Sequence, residues 1–293
     1  MVGPLGGAAA SAKALGLDPH QTLMTLGIAA SRTGGLTANT GTMVKATHPG
    51  NAARMGVEAA LLAQLGYTSS PEVLEAPMGY AAALFRGQLD WDVLTQGLGA
   101  SYRLVDPGFD MKRFPAQVYM QNPIEAVLNL RQQHNLTADR VDQLTIYRQG
   151  RGHAGPAPAS GLDGKFSVEY CAAVALLDGK VVIDSFTDAR RFAPDMEAML
   201  QKIRVETVEQ VPGVVTVTAR LHDGATVSAE CRGFKGSATN PMTREERMDK
   251  VWDCIGRVLA TPDAEQVIEL VEDLEHIPDI TALMQLLGHT RRE

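Results

Sequence analysis

Gly35-Leu-Thr-Ala-Asn-Thr-Gly-Thr-Met-Val-Lys-Ala-Thr-His-Pro-Gly-Asn-Ala-Ala-Arg-Met-Gly56 concentrates the small residues, turn formers and ligand-capable side chains of the chain. Its first half is too rich in Gly, Thr and Asn to hold a packed helix, because these residues favour turns and caps. The second half starts one. Pro49 and Gly50 are expected to end whatever precedes, Asn51 to act as N-cap, and Ala52, Ala53, Val57, Ala60, Leu61 and Ala63 to recur at helical spacing until Gly66. Lys45 and His48 are thereby placed just before a helix N-terminus, where unpaired N–H groups and the helix dipole favour a carboxylate or phosphate.

Outward from this stretch the texture is helical on both sides. Upstream, Val2 to Gly16 reads as a helix of Ala and Gly that can bury a face only against closely approaching neighbours, as in the middle of a larger helical domain. Asp18 with Pro19 caps a second helix to about Ser31. Downstream, short helices are expected around Met78 to Phe85 and Asp90 to Leu98. From Tyr102 the pattern changes. A turn at Asp106-Pro107-Gly108 and an extended Lys112-Arg113-Phe114-Pro115 lead to a helix opened by Pro123, with Asn122 as cap. Val141 to Arg148 has strand composition, Arg151 to Gly164 is loop, and Phe166 to Leu177 is helical. Val205 to Val208, Val214 to Leu221 and Thr226 to Cys231 form a β group whose last pair is joined by His222-Asp-Gly-Ala225. Thr243, Pro262 and Pro278 open three more helices.

The fold expected is mainly α with an α+β insertion. Residues 1–105 and 237–293 together make an all-helical domain, and residues 106–236 make a smaller, lid-like α+β domain. The 293 residues and 45% hydrophobic content suit two structural units with substantial cores. No run of about 18 apolar residues and no basic-then-apolar leader pattern is visible, so a cytoplasmic protein without membrane contact is expected. A net charge of −7 argues against nucleic acid. The odd set Cys171, Cys231 and Cys254 suits neither disulfides nor a metal knuckle. The seven histidines, His20, His48, His134, His153, His222, His276 and His289, show no ligand spacing, so neither a metal nor another cofactor is expected.

Gly41-Thr-Met-Val-Lys-Ala-Thr-His-Pro-Gly-Asn-Ala-Ala-Arg-Met-Gly56 closely resembles the signature of the MmgE/PrpD family, which contains 2-methylcitrate dehydratase and cis-aconitate decarboxylase. Three later segments resemble it too: Lys112-Arg-Phe-Pro leading into a helix, the Ser167-Val-Glu-Tyr170-Cys-Ala-Ala173 helix, and Asn240-Pro-Met-Thr243. The resemblance covers essentially the whole chain. Two departures stand beside it. Family members are longer, and their first part, with a catalytic Asp and a His-containing segment, has no counterpart here, so a truncated and even catalytically incompetent member is an expectation. Gln121 stands where the decarboxylase branch tends to carry His and the dehydratase branch Gln, which inclines the reading towards a dehydratase of propionate catabolism.

Elimination from a small polycarboxylate needs cations for its carboxylates, a base for the carbon-bound proton and an acid for the leaving hydroxyl. The resemblance implies Lys45 as the cation and His48 and Tyr170 as further catalytic groups. Asn39, Thr42, Lys112, Arg113 and Gln121 are candidates for substrate binding. Each has a plainer reading: solvated charge for Lys112 and Arg113, turn-making for Asn39 and Thr42, helix capping for Gln121, helix entry for His48, and core packing for Tyr170. A decarboxylase or epimerase of a related acid is the sibling alternative, and a homodimer is the implied assembly.

Overall fold

The computed structural model describes residues 1–149, 155–209 and 213–288. It is mixed in class, with many helices and one small sheet, and its contacts divide it into two compact units, Met1–Ser101 and Tyr102–Glu293.

The first unit is built on α1 (Gly3–Ala14), α2 (Pro19–Ala30) and α3 (Met43–Gln64), followed by the short α4 (Tyr80–Phe85) and α5 (Trp91–Thr95). Asp18 caps α2 through a full capping box with Gln21, as its position next to Pro19 predicts. Small residues set the packing: Ala8, Ala29 and Ala59 form the shared core of the three long helices. A Cβ on Gly27 would stand 2.0 Å from Ser69 Oγ, so the approach of Ser69 to α2 is possible only at a glycine. An Arg32–Glu58 ion pair ties the end of α2 to α3.

One expectation fails here. Pro49 does not end a segment; α3 begins at Met43 and runs through Pro49. Proline removes one N–H and would normally disfavour a helix interior. At this position it forfeits only the bond to the Lys45 carbonyl, on an exposed side near the helix start, while the long remainder through Ala59, Ala60 and Ala63 is held by packing. Thr42, not Asn51, is the N-cap residue.

The second unit carries α6 (Gln121–Gln133), β1 (Val141–Arg148), α7 (Val168–Asp178), α8 (Asp188–Arg191), α9 (Pro194–Leu200), β2 (Ile203–Thr207), β3 (Val215–Leu221), β4 (Thr226–Cys231), α10 (Arg244–Ile255), α11 (Thr261–Glu272) and α12 (Thr281–Gly288). The sheet order is β2-β1-β3-β4. β1 runs parallel to β2, with Leu144 opposite Ile203, and antiparallel to β3, with Ile146 opposite Val217. Alternation along β1 sends Leu144, Ile146 and Arg148 inward, and an irregularity between Val141 and Gln143 lets Val141 join them; the apolar ones share a core with Ile124, Val127 and Leu130 of α6. α7 is buried from Val168 to Leu176 on nearly every position, as befits a central helix. Ser167 caps it, accepting from the Tyr170 N–H at 3.2 Å, and Gly179, at φ 68°, ends it in the left-handed conformation.

α6 starts two residues before the expected Pro123, so Asn122 lies inside the helix; its amide donates to the Gly213 carbonyl at 2.6 Å. α8 and α9 lie where no element was expected, and β2 begins at Ile203, two residues before the expected Val205. Thr243 opens α10 as expected, in a full capping box with Glu246. Leu259, Ala264, Val267, Leu283 and Leu286 make a satellite core under the last helices. Residues 244–288 group with the second unit, and their return to the first helical domain stands as a proposal. The expected loop from Arg151 lies in part outside the described residues, as do His153 and His289. Among the described residues no helix is long and apolar enough to cross a membrane.

Candidate functional site

In the first unit the quoted stretch folds back on itself. Thr37–Asn39 is a single 3-10 turn. Asn39 receives two bonds at its carbonyl, from the Thr42 N–H at 3.0 Å and the Thr42 hydroxyl at 2.8 Å. Asn39 and Thr42 thus build the turn that launches α3. Lys45 sits in the first turn of the helix, exposed, and its ammonium makes no hydrogen bond or ion pair among the described residues. His48 follows three residues later on the same helical face. Its ring is half-buried against Gly35, which adopts φ 99°; a Cβ there would lie 3.4 Å from His48 Nδ1. An uncommitted ammonium, a neighbouring imidazole and the open N–H groups of a helix start together make a site that can hold a carboxylate and pass a proton.

The second unit places its sequence candidates differently. Lys112 is exposed, and its carbonyl accepts from the Lys250 ammonium. Arg113 is committed to the protein's own acids: one terminal nitrogen lies 3.3 Å from Glu125 and 3.5 Å from Glu246, and the guanidinium stacks on Phe114 at 5.3 Å. Lys235 adds a second cation 3.8 Å from Glu246. Glu125 is buried, which pushes its carboxyl above the usual range even though Arg113 pulls the other way.

Gln121 is fully buried, and both ends of its amide serve the preceding loop. Its oxygen accepts from the Phe114 N–H at 3.0 Å, and its nitrogen donates to the carbonyls of Phe114 at 3.1 Å and Ala116 at 3.4 Å. The loop-fixing role is therefore the one its geometry supports. Tyr170 is also fully buried, and its hydroxyl donates to the Ser185 carbonyl at 2.5 Å. Burial pushes the phenol up to about 12. In this arrangement it packs against Phe186 and has no open approach to a ligand, which matches the core reading. Gln117 N–H to Lys165 C=O, at 3.0 Å, joins the Gln121 loop to the segment that enters α7.

Sequence reading missed Glu125 as a partner of Arg113. The available signal was an acid on the apolar side of α6, between Ile124 and Leu128. Glu246, in the first turn of α10, also closes the capping box with Thr243. A cleft of about 390 Å3 beside Arg113, reaching Trp252 and Cys254 on α10, had no sequence signal.

Among known protein families, residues 1–92 match the model of the MmgE/PrpD N-terminal domain, and residues 114–276 match that of the MmgE/PrpD C-terminal domain. The chain is 30% identical to the cis-aconitate decarboxylase of Homo sapiens over 298 aligned residues, covering 98% of this chain and 62% of the relative. It is 29% identical to the cis-aconitate decarboxylase of Mus musculus, covering 98% and 61%, and 27% identical to that of Aspergillus terreus, covering 98% and 63%. The chain thus spans rather less than two thirds of the length of the curated relatives it matches.

Proposed function

Because this chain belongs to the MmgE/PrpD family, we propose that it is a lyase acting on a small polycarboxylate, and that its reaction is decarboxylation of an unsaturated acid of the cis-aconitate type. The observation that carries this reading is the alignment of nearly the whole chain with relatives named cis-aconitate decarboxylase. Lys45 pairs with a substrate carboxylate. His48, one turn along the same face, delivers the proton that the carbon takes up as carbon dioxide leaves. Thr42 and Asn39 hold the turn that presents Lys45.

Dehydration of 2-methylcitrate is the second reading, favoured by the presence of Gln at position 121. That support is weakened by the geometry, since the Gln121 amide is spent on the backbone of its own loop. Incubation of the purified protein with cis-aconitate and with 2-methylcitrate, following released carbon dioxide and product alkenes by NMR, separates the two. Turnover of 2-methylcitrate alone would overturn the decarboxylase reading. Binding of cis-aconitate without any turnover would leave a binding-only family member. We further infer a cytoplasmic homodimer, supported by exposed apolar side chains such as Leu61 and Leu65 on and just after α3. A monomer by light scattering, with no dye-binding hydrophobic surface, would overturn it.

A further inference from the structure

β2 stands at one edge of the sheet, bonded to β1 on one side. The Leu144 N–H donates to the Lys202 carbonyl at 3.0 Å and the Val208 N–H to the Arg148 carbonyl at 3.1 Å, which fixes the phase of the strand. Lys202, Arg204 and Glu206 turn their carbonyls towards β1. Ile203, Val205 and Thr207 turn both backbone groups outward. Among the described residues only Arg204 answers these groups: its guanidinium donates to the Ile203 carbonyl at 2.8 Å, and to the Gln201 carbonyl at 2.9 Å. Ile203–Thr207 is therefore an open hydrogen-bonding edge.

The sequence of that edge, Ile-Arg-Val-Glu-Thr, is complementary to itself. When two copies lie antiparallel about Val205, each outward residue meets an outward one: Val205 meets Val205 of the second copy, and Ile203 meets Thr207. Arg204 then faces Glu206 on either side of the two-fold axis, in the closer, non-hydrogen-bonded positions. Both side chains are exposed and lack an ionic partner among the described residues. The neighbouring registers that keep outward residues face to face would set Arg204 against Arg204, or Glu206 against Glu206. Charge thus selects a single register. The opposite edge offers no such match. The same pairing of β4 about Ser228 would set Val227 against Ala229, and the Ser228 carbonyl already has His134 Nε2 at 3.3 Å.

We propose that β2 pairs with β2 of a second copy of this chain, joining the two sheets edge to edge. Arg204 exchanges the Ile203 carbonyl for Glu206 of the second copy, and that carbonyl accepts from the Thr207 N–H instead. A strand of 5 residues buries less than the roughly 1,200 Å2 of a stable interface, so this association is reversible and concentration-dependent. It is independent of the lyase reading and of the apolar side chains on α3.

Sedimentation velocity over a concentration series reads the association, with circular dichroism as a check on the fold. Arg204→Glu sets two acids opposite each other and should weaken association about tenfold or more, and Glu206→Arg should do the same with two bases. Both alter exposed side chains, so the fold should persist. Mixed together, the two single variants bring only opposite charges into contact and should associate at least as strongly as the wild type. The double variant Arg204→Glu/Glu206→Arg should recover wild-type association to within about threefold. Stronger association of Arg204→Glu alone would overturn the proposal, because Arg204 would then be a guard that keeps the edge unpaired. So would a wild type that does not associate, or a mixture that associates no better than its components.

Discussion

A Cβ placed on Gly56 would stand 2.4 Å from the carbonyl carbon of Gly7, so α1 and α3 meet backbone to backbone at this pair of glycines. No side chain fits between them. Gly56→Ala should therefore push the helices apart and cost about 1–3 kcal/mol, the usual range for overpacking. Gly50→Ala, in the same helix but with open space at its Cβ, should be neutral or stabilise by up to about 1 kcal/mol. Urea unfolding of both variants, followed by circular dichroism, checks the contrast. Equal effects would show that helix propensity, and not the close approach, governs position 56.

Tyr170 tests the core reading of its hydroxyl. Tyr170→Phe removes the bond to the Ser185 carbonyl and should cost about 1–2 kcal/mol, leaving a buried acceptor unpaired. The pH dependence has a definite sign. Burial raises the folded phenol from the ordinary 10.0 to about 12, so the unfolded chain releases this proton first as pH rises. The stability attached to the protonated phenol is complete below about pH 10 and is lost as pH climbs towards 12. Denaturant midpoints between pH 9 and 12 should fall more steeply for the wild type than for Tyr170→Phe. Parallel curves would mean that Tyr170 is not buried as described.

The helices that declare their own ends were legible in the sequence. Asp18-Pro19 and Thr243 mark helix starts and Gly179 marks a helix end through chemistry held within a few residues, whereas the start of α7 at the Ser167 cap lies two residues beyond the expected Phe166. Pro49 was misread because its local penalty is smaller than the packing of the fifteen residues beyond it, a tertiary term that no window of sequence contains. The site divides in the same way. Lys45 and His48 are neighbours in sequence and remain so in space. The commitments of Arg113 to Glu125 and Glu246, and of Gln121 to its own loop, depend on how α6 and α10 meet. Their residue types fit a carboxylate site equally well, and only geometry separates the two uses.

Glu125 lies buried beside Arg113 and Glu246, and desolvation holds its carboxyl above the usual value of 4.5. A raised folded value means that its contribution is fully present below the unfolded pKa and is lost as pH rises through the folded one. Glu125→Gln keeps the shape and cannot ionise. The variant should therefore gain on the wild type as pH rises from 4 to 7, in thermal melts at matched ionic strength. If the wild type instead gains on the variant over that range, the Arg113 ion pair outweighs the burial of the carboxylate.

Lys45 and His48 separate binding from chemistry. The Lys45 ammonium has no partner among the described residues, so Lys45→Ala should leave stability unchanged within about 0.5 kcal/mol. Loss of one charge-assisted contact should nevertheless weaken cis-aconitate binding about tenfold or more, measured by calorimetry. His48→Asn keeps a polar group of similar reach against Gly35 but cannot carry a proton near neutral pH. It should leave cis-aconitate binding nearly intact and lower any turnover by about 10²–10⁴, the ordinary worth of a positioned acid or base. Full binding by Lys45→Ala would move the carboxylate away from the start of α3, and full turnover by His48→Asn would require another proton donor.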